Sequence, residues 1–261
     1  MRIATWNVNS VRLRLPLLEK LVAQRSPDVI CLQETKVVDD TFPKKDIAAM
    51  GYEHIEVRGM KSYNGVAVLS RLPLKRLNDQ PFCGRDDCRH LGVQVDGIDV
   101  HSLYVPAGGD EPDPAINDKF AHKLQFMDEM AVWSKQLKEQ GRPVVLTGDF
   151  NVAPLETDVW SHKQLLKVVS HTPIEVEKFD IAQAAGGWID AVRNSIPAEE
   201  KLYSWWSYRA RDWAAADRGR RLDHIWASPD LAGRLSNASI LRDARGWEKP
   251  SDHVPVIVDI D

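Results

Sequence analysis

Three apolar segments of this sequence each run into an oxygen-bearing side chain, and these belong to Asn7, Glu34 and Asp149. Taken singly, each is most simply a turn residue that caps the following element. A carboxylate at the end of a buried strand is partly desolvated, so it needs a cation or several hydrogen-bond donors to remain ionised. Mg²⁺ typically takes one or two carboxylates, keeps several waters and binds substrate phosphate. The three groups together therefore predict a hard-cation site.

A second set of acid–base groups lies near the C-terminus. Asp252 and His253 directly precede the last apolar segment, and Asp223 precedes an earlier one. Neighbouring residues of an extended chain point to opposite sides, so only one of Asp252 and His253 enters a given pocket unless the backbone turns. A lone histidine is usually structural, but a carboxylate such as Asp223 can orient a catalytic imidazole through its Nδ1–H.

Charge and aromatic rings are unevenly distributed along the chain. Residues 204–226 hold five arginines, three aspartates and four of the nine tryptophans, whereas residues 86–118 hold eight acids and one base. Arginines interleaved with rings suit phosphate contacts combined with stacking. The alternative is that the rings are core residues, which we expect for one ring of each neighbouring pair. Arg209, Arg211 and Arg220 are the candidate contacts for nucleic acid.

The overall composition limits the class of protein. The 261 residues are 43% hydrophobic and 28% charged, which excludes wholesale disorder, collagen and coiled coil. The net charge of −4 argues weakly against a protein that coats nucleic acid. No apolar run approaches the roughly 18 residues of a membrane span, and no secretory leader is recognisable. Three cysteines without framework spacing indicate a reducing compartment; a zinc site at Cys83, Cys88 and His90 is the weaker alternative, because no second ligand pair follows.

The elements that must position these residues are short strands and a few helices. The patterns predict strands at 3–8, 29–32, 52–57, 65–70, 98–105, 144–147, 222–227 and 254–260, and helices at 13–24 and 119–139. No linker or low-complexity tract divides the chain, so we expect one domain over residues 1–261. The mixture favours an α+β layered sandwich. The similarity of Trp6-Asn7-Val8 to Phe150-Asn151-Val152 suggests two related halves that face each other.

Five motifs carry a family resemblance that spans essentially the whole chain. They are Trp6-Asn7-Val8-Asn9, Leu32-Gln33-Glu34-Thr35-Lys36, Gly148-Asp149-Phe150-Asn151, Arg221-Leu222-Asp223 and Ser251-Asp252-His253-Val254-Pro255. In this order they resemble the exodeoxyribonuclease III family of apurinic/apyrimidinic endonucleases, within the endonuclease/exonuclease/phosphatase superfamily. The resemblance implies a four-layer α/β sandwich, in which two mostly antiparallel sheets pack face to face with helices outside.

The resemblance also implies roles for the polar residues. Glu34 would be the principal Mg²⁺ ligand, supported by Asn7 and Asp252, with Mn²⁺ as a substitute ion. Asp149 would hold or deprotonate the attacking water. The remaining catalytic positions are Asn151, which positions water and phosphate, His253, oriented by Asp223 and bonded to the scissile phosphate, and Tyr104, which contacts that phosphate. The sequence leaves Asp149 and His253 as alternatives for the general base, since the two would titrate together.

The DNA-facing residues follow from the same resemblance. Trp206 would be a wall of the pocket that receives an extruded baseless sugar, Leu222 would help to close it, and Lys36 would lie near the site. An abasic nucleotide has lost its stacking and pairing, so extruding it costs less than extruding a normal one. Two residues, Ala107 and Arg220, depart from the pattern of the family. They bear on the balance between exonuclease activity and cleavage at abasic sites.

The sequence thus predicts a Mg²⁺-dependent DNA-repair hydrolase that cuts 5′ to abasic sites in duplex DNA and trims 3′ ends. We expect a cytoplasmic monomer of bacterial type, associated with the nucleoid when acting, without a membrane partner or nucleotide cofactor. One competing hypothesis keeps the chemistry and changes the substrate to phosphoinositides or a sphingomyelin-type lipid. The other is a DNA-binding module that has lost catalysis.

Overall fold

Two six-stranded sheets form the centre of the computed structural model, which describes residues 1–261. The strands of the chain are β1 (Arg2–Asn7), β2 (Val29–Gln33), β3 (His54–Arg58), β4 (Val66–Ser70), β5 (Leu74–Arg76), β6 (His90–Val95), β7 (Ile98–Tyr104), β8 (Val144–Asp149), β9 (Ile189–Asp190), β10 (Trp205–Trp206), β11 (Gly219–Arg220), β12 (Asp223–Ala227), β13 (Leu235–Ile240) and β14 (Val256–Ile260).

The strand order places the one parallel pair of each sheet at its middle. The first sheet has the order β13-β14-β1-β2-β4-β3 and the second has the order β5-β6-β7-β8-β12-β9. Within each sheet a single pair is parallel, β1 with β2 and β7 with β8, and the other pairs are antiparallel. This repeated arrangement agrees with the predicted pair of facing halves.

The helices cover the outer faces of the sheets. They are α1 (Val11–Arg25), α2 (Lys44–Ala49), α3 (Asp118–Glu139), α4 (His162–Leu165), α5 (Pro173–Gly186) and α6 (Trp213–Ala216), and short 3₁₀ turns occur at 39–41, 82–84, 156–158, 229–234 and 242–246. None of the helices combines the length and apolar character needed to cross a membrane.

Side chains alternate between two cores along the central strands, as the period of two in a strand requires. On β1, Ile3 packs between the two sheets, whereas Ala4 and Trp6 pack under α1 together with Leu18 and Leu21. A third apolar cluster lies between the second sheet and the pair α3 and α5. The layers are therefore helix, sheet, sheet, helix, and the predicted four-layer sandwich is confirmed.

Both long predicted helices form, and each is extended by one or two residues at its N-terminus. Several elements were not predicted, among them the strands β5, β6 and β13 and the helix α5. The start of α5 does carry a sequence signal, because Thr172 and Glu175 form a capping box around Pro173. This helix matters for the site, as its first turn lies directly behind it.

Candidate active site

The ends of the central strands meet in a cleft of about 620 Å³. Because β1 and β2 are parallel, Asn7 and Glu34 emerge at the same edge of their sheet. Because β7 and β8 are parallel, Tyr104 and Asp149 are direct neighbours in the other sheet. Most of the predicted site residues line this cleft, namely Asn7, Glu34, Tyr104, Asp149, Asn151, Arg209, Arg220, Leu222, Asp252 and His253.

Left-handed backbone occurs at three residues that follow β2 and β8, close to the cleft. Glu34, Lys36 and Asn151 have φ values of 54°, 55° and 53°. Such conformations cost energy in non-glycine residues and persist where the surrounding structure holds them. Gly148 has a φ of 144°, and a Cβ at this position would lie 1.9 Å from the carbonyl oxygen of Leu103. Only glycine therefore fits immediately before Asp149.

Asp149 is the most deeply placed carboxylate that faces the cleft. Its Oδ2 accepts from Asn7 Nδ2 at 2.9 Å, and its Oδ1 accepts from the backbone N–H of Asn151 at 3.0 Å. Burial raises the pKa of Asp149 to about 7, and the carboxylate of Asp223 acts in the same direction, whereas His253 and the two hydrogen bonds oppose the rise. This pKa suits a group that exchanges a proton near neutral pH.

His253 lies between two carboxylates. Its Nδ1 is 2.8 Å from Asp223 Oδ2, and its Nε2 is 3.6 Å from Asp149 Oδ2. Burial alone would lower the pKa of His253, but the two carboxylates outweigh it and raise this pKa to about 10. Asp223 is in turn fixed by the hydroxyl of Ser204, which donates to the same Oδ2 at 2.6 Å. The imidazole is thus held as a cation that can donate a hydrogen bond.

Asp252 remains ionised despite its burial. Its Oδ1 accepts from Asn9 Nδ2 and its Oδ2 from Trp205 Nε1, each at 3.0 Å. Burial would raise the pKa of Asp252, but His253 and these two donors bring it below its ordinary value. The backbone turns at this point, so both Asp252 and His253 line the cleft. Each oxygen of Asp252 keeps one unused lone pair.

Glu34 and Tyr104 complete the inner part of the cleft. Lys36 Nζ is 3.4 Å from Glu34 Oε1 and also donates to Asn9 Oδ1 at 2.6 Å. Burial raises the pKa of Tyr104 well above its ordinary value, and the nearby carboxylates of Glu34 and Asp149 raise it further. Tyr104 therefore stays a neutral phenol that can donate a hydrogen bond.

The donor set at the inner end fits a hard divalent cation. Carboxylates and an amide from Glu34, Asp252 and Asn7 line one cleft, and oxygen donors of this kind suit Mg²⁺ or Mn²⁺. A tighter cluster is formed by Asp149, Asp223 and His253, whose ligand atoms lie within 4.8 Å of one another. In that cluster Nδ1 of His253 is already bonded to Asp223, so we interpret it as a proton-handling set rather than as the metal ligands.

Rings and guanidinium groups form the outer wall of the cleft. Arg220 stacks over Trp205, with 5.2 Å between the guanidinium carbon and the ring centroid, and Arg218 stacks over Trp160 at 4.7 Å. Arg220 hydrogen-bonds only neutral groups, the carbonyl of Val169 at 2.9 Å and the hydroxyl of Ser170 at 2.8 Å. Its charge therefore has no carboxylate partner in direct contact, which suits an anionic ligand.

The prediction that Trp206 is a pocket wall is wrong. Trp206 is 1% exposed and packs in the core under α1, where its Nε1 donates to Asp217. Trp205 lines the cleft instead. The two residues form the short strand β10, and successive side chains of a strand face opposite sides. The sequence predicted one inward and one outward ring, but assigned the two faces in reverse.

Other predictions meet mixed outcomes. Arg211 is exposed and Lys36 is half-buried beside Glu34, and neither lines the cleft. Asp190 and Arg193 lie outside the cleft, and their side chains bond Arg221 and Asp158 respectively. The sequence reasoning missed Arg218, Trp160 and Asn9, although Asn9 belongs to a motif that it quoted.

The suggested zinc site has other partners in this structure. Nδ1 of His90 accepts from the backbone N–H of Gln80 at 2.9 Å, and its Nε2 is 3.0 Å from His101 Nδ1. Cys83 donates to the carbonyl of His122. The ring nitrogens of His90 are therefore both engaged, and the zinc alternative gains no support.

Comparison with known proteins decides the family. Residues 4–253 match the family described as Endonuclease/Exonuclease/phosphatase family. The chain belongs to this family. An exodeoxyribonuclease from Bacillus subtilis is 30% identical over 262 residues, which cover 98% of each chain.

Two solved structures resemble this chain over its whole fold. An AP endonuclease from Archaeoglobus fulgidus has a TM-score of 0.93 at 32% identity, with 100% of this chain and 99% of that chain covered. The 3′ phosphatase NExo from Neisseria, solved with a product DNA hairpin, has a TM-score of 0.91 at 32% identity and the same coverage. These three relatives are thus two nucleases and a phosphatase, and the phosphatase was solved with a product DNA hairpin.

Proposed function

We propose that this chain is a metal-dependent DNA-repair phosphodiesterase. It cleaves the phosphodiester bond 5′ to abasic sites in duplex DNA, and it removes nucleotides or blocking groups from 3′ ends. The observation that carries the proposal is the meeting of Glu34 and the set Asp149, His253 and Asp223 in one cleft, beneath a wall of arginines and tryptophans. The relatives that act on DNA support this choice of substrate.

We propose Mg²⁺ as the ion, with Mn²⁺ as a substitute. Glu34 would hold it, supported by Asn7 and Asp252, because these oxygen donors face the cleft together. When bound, a divalent ion at this place polarises the phosphate and stabilises the leaving oxygen. The remaining chemistry is assigned to side chains of the chain itself.

Asp149 is the proposed general base. With a pKa of about 7 it is able to accept a proton from water at neutral pH, whereas His253, with a pKa of about 10, already carries its proton. His253 therefore donates a hydrogen bond from Nε2 to the scissile phosphate, and Asp223 orients it as a positioning residue. Asn151 positions the water, and neutral Tyr104 donates to the phosphate.

The outer wall is the proposed DNA-binding surface. Arg209 and Arg220 would contact backbone phosphates, Trp205 would replace Trp206 as the pocket wall, and Leu222 would help to close the pocket. An abasic sugar enters such a pocket more readily than an intact nucleotide, because no base has to be unstacked. Lys36 and Arg211 stay in the proposal as outlying phosphate contacts.

The proposal treats residues 1–261 as one domain, because the cleft takes its residues from both sheets. We propose that this domain acts as a cytoplasmic monomer at the nucleoid. Light scattering at working concentration, with and without duplex DNA, tests the monomer part of the proposal.

A gel assay on labelled duplexes tests the function. The substrates carry an internal abasic analogue, a recessed 3′ end or a 3′-phosphate, and each is incubated with Mg²⁺ or with EDTA. We expect Glu34→Ala and Asp149→Asn to lose at least about 100-fold in rate, since a positioned base alone contributes roughly 10²–10⁴-fold. Glu139→Ala and Asp40→Asn change exposed carboxylates and serve as matched controls.

Two outcomes contradict the proposal. If the Glu34 and Asp149 variants cut the abasic duplex as fast as the wild type with Mg²⁺, these residues do not carry the reaction. If the wild type hydrolyses phosphoinositide or sphingomyelin-type phosphoesters and leaves all three DNA substrates intact, the substrate is a lipid.

A further inference from the structure

Lys123 and Glu175 form a buried ion pair that no step of the proposed reaction uses. Lys123 lies on α3 and Glu175 on the first turn of α5, and both side chains are 0% exposed. Removing two charges from water is expensive, and apolar residues of similar volume often serve stability equally well. A gain in folding stability is therefore a weak explanation for this buried pair. The contacts of the Lys123 ammonium offer another.

The ammonium of Lys123 bonds the backbone of the active-site loops. Nζ donates to the carbonyl oxygen of Asn151 at 2.7 Å and lies 3.5 Å from the carbonyl oxygen of Ala107. Glu175 Oε1 accepts its third hydrogen bond. An ammonium has three donors, so each one is directed to a different partner. Asn151 and Ala107 both line the cleft.

The backbone of Asn151 is in the left-handed region, with a φ of 53°, and several hydrogen bonds hold it there. Its Nδ2 donates to the carbonyl of Val105 at 2.9 Å, and its own N–H donates to Asp149 Oδ1 at 3.0 Å. Rotation of this peptide would move the amide side chain and the bond to Asp149 at the same time. Lys123 opposes that rotation, because its hydrogen bond holds the carbonyl oxygen of Asn151.

Glu175 is itself held independently of Lys123. Its carboxylate accepts from the N–H of Ser170 at 2.9 Å, and from the N–H and hydroxyl of Thr172 at 3.1 and 2.7 Å. It also lies at the N-terminus of α5, where a negative charge is favoured. Glu175 is therefore held in place without Lys123. The side chain of Lys123 joins Glu175 to the loop that carries Asn151.

We infer that Lys123 is a positioning residue for hydrolysis, which holds Asn151 in its working orientation from the rear of the cleft with Glu175 as its support. The inference rests on the proposed function, because it assigns Asn151 a role in placing water and phosphate. A displacement of about 1 Å in such a group can reduce a rate on the order of 100-fold. Lys123 itself does not touch the substrate in this scheme.

The test measures kcat and KM on the abasic duplex for Lys123→Met, Asn151→Ala and the double variant. Lys178→Met is the matched control, since Lys178 also joins α5 to α3, through Asp128, but at the surface. We expect Lys123→Met to lower kcat roughly 10–100-fold with KM within about threefold of wild type. In the Asn151→Ala background, removing Lys123 should change kcat by less than about threefold.

A structural role alone gives a different pattern. If Lys123→Met loses the same factor in kcat with and without Asn151, or keeps wild-type kcat, the inference is overturned. If Lys123→Met does not fold, Lys123→Met/Glu175→Gln removes both charges and takes its place, with the same expected loss and the same criterion. Wild-type protein without cleavage of abasic DNA would contradict the proposed function instead, so the two failures are distinguishable.

Discussion

Replacing Asp223 by asparagine tests how the charge of His253 is set. The variant keeps the shape of the side chain and removes one of the two carboxylates that flank the imidazole, the closer one at 2.8 Å rather than 3.6 Å. At an effective dielectric constant of about 20, these two attractions are on the order of 6 and 5 kcal/mol. The change therefore removes somewhat more than half of the attraction, while burial continues to oppose the charge.

The pKa of His253 should fall accordingly by several units. In the wild type it is raised to about 10, and in Asp223→Asn we expect it near or below the ordinary value of about 6.5. At pH 8 a group with a pKa of about 6 is only about 1% protonated. We therefore expect about a 100-fold loss of kcat at pH 8, because the imidazolium that donates to the phosphate is depleted.

The raised pKa of His253 should also make the folding stability depend on pH. A folded-state pKa above the unfolded value means that the contribution of His253 is complete below about pH 6.5 and is lost as the pH rises toward about 10. Asp223→Asn should flatten the decline of wild-type stability over this range. Urea unfolding at a series of pH values measures the decline, and NMR of labelled histidine measures the pKa directly.

Ser204→Ala is the control for this experiment. It removes the 2.6 Å hydrogen bond to Asp223 but keeps the carboxylate charge, so the pKa of His253 should change by less than about one unit. Two results would contradict this role of Asp223: His253 in Asp223→Asn still titrates near pH 10, or the alkaline limb of kcat stays in place while the pKa of the imidazole falls.

Three further results follow from the geometry. Arg220→Ala should raise KM for duplex DNA about tenfold with little change in kcat, since this guanidinium lacks a carboxylate partner; steady-state kinetics decide it. Gly148→Ala should lower the free energy of unfolding in urea by more than about 3 kcal/mol, because the new Cβ would meet a carbonyl oxygen. Gly141→Ala is the control and should lower it by about 1 kcal/mol, because the space around Gly141 is open. Burial raises the pKa of Asp149 to about 7, so the wild type loses stability as the pH rises from about 4 through 7; without metal, Asp149→Asn should show less loss over this range in melting scans.

The strand ends were predictable from sequence because they depend on local patterns. An apolar run followed by Asn7, Glu34 or Asp149 identifies the end of a buried strand, and parallel pairing of neighbouring strands brings such ends to one edge. The family motifs added the partners from distant parts of the chain. The predictions of fold class and of the central strands depended on no detail of side-chain packing, and they were confirmed.

The failures depend on register and on tertiary contacts. Trp205 and Trp206 differ only in which way β10 faces, and this is set by its pairing with β11 across twelve intervening residues. Lys123 lies among apolar residues of the buried stripe of α3, so one charge in that stripe was a usable signal. Its partner Glu175 lies on a helix that was not predicted, and only the packing of α5 on α3 brings the two together.

The charges in the cleft predict that a bound divalent ion would help a phosphate to enter. Asp149, Asp223 and Asp252 lie around the imidazolium of His253, and Glu34 lines the same cleft beside the ammonium of Lys36. Four carboxylates, one imidazolium and one ammonium carry a net charge of −2 when all are ionised. A phosphodiester that approaches this group is repelled in a region of low dielectric, where such terms are large. Removing one charge by Glu34→Gln should therefore strengthen DNA binding in EDTA by about tenfold and weaken it in the presence of Mg²⁺. Fluorescence anisotropy with a labelled abasic duplex measures both affinities. An unchanged affinity in EDTA would show that the arginines of the outer wall already neutralise the cleft, and that the ion serves the chemical step alone.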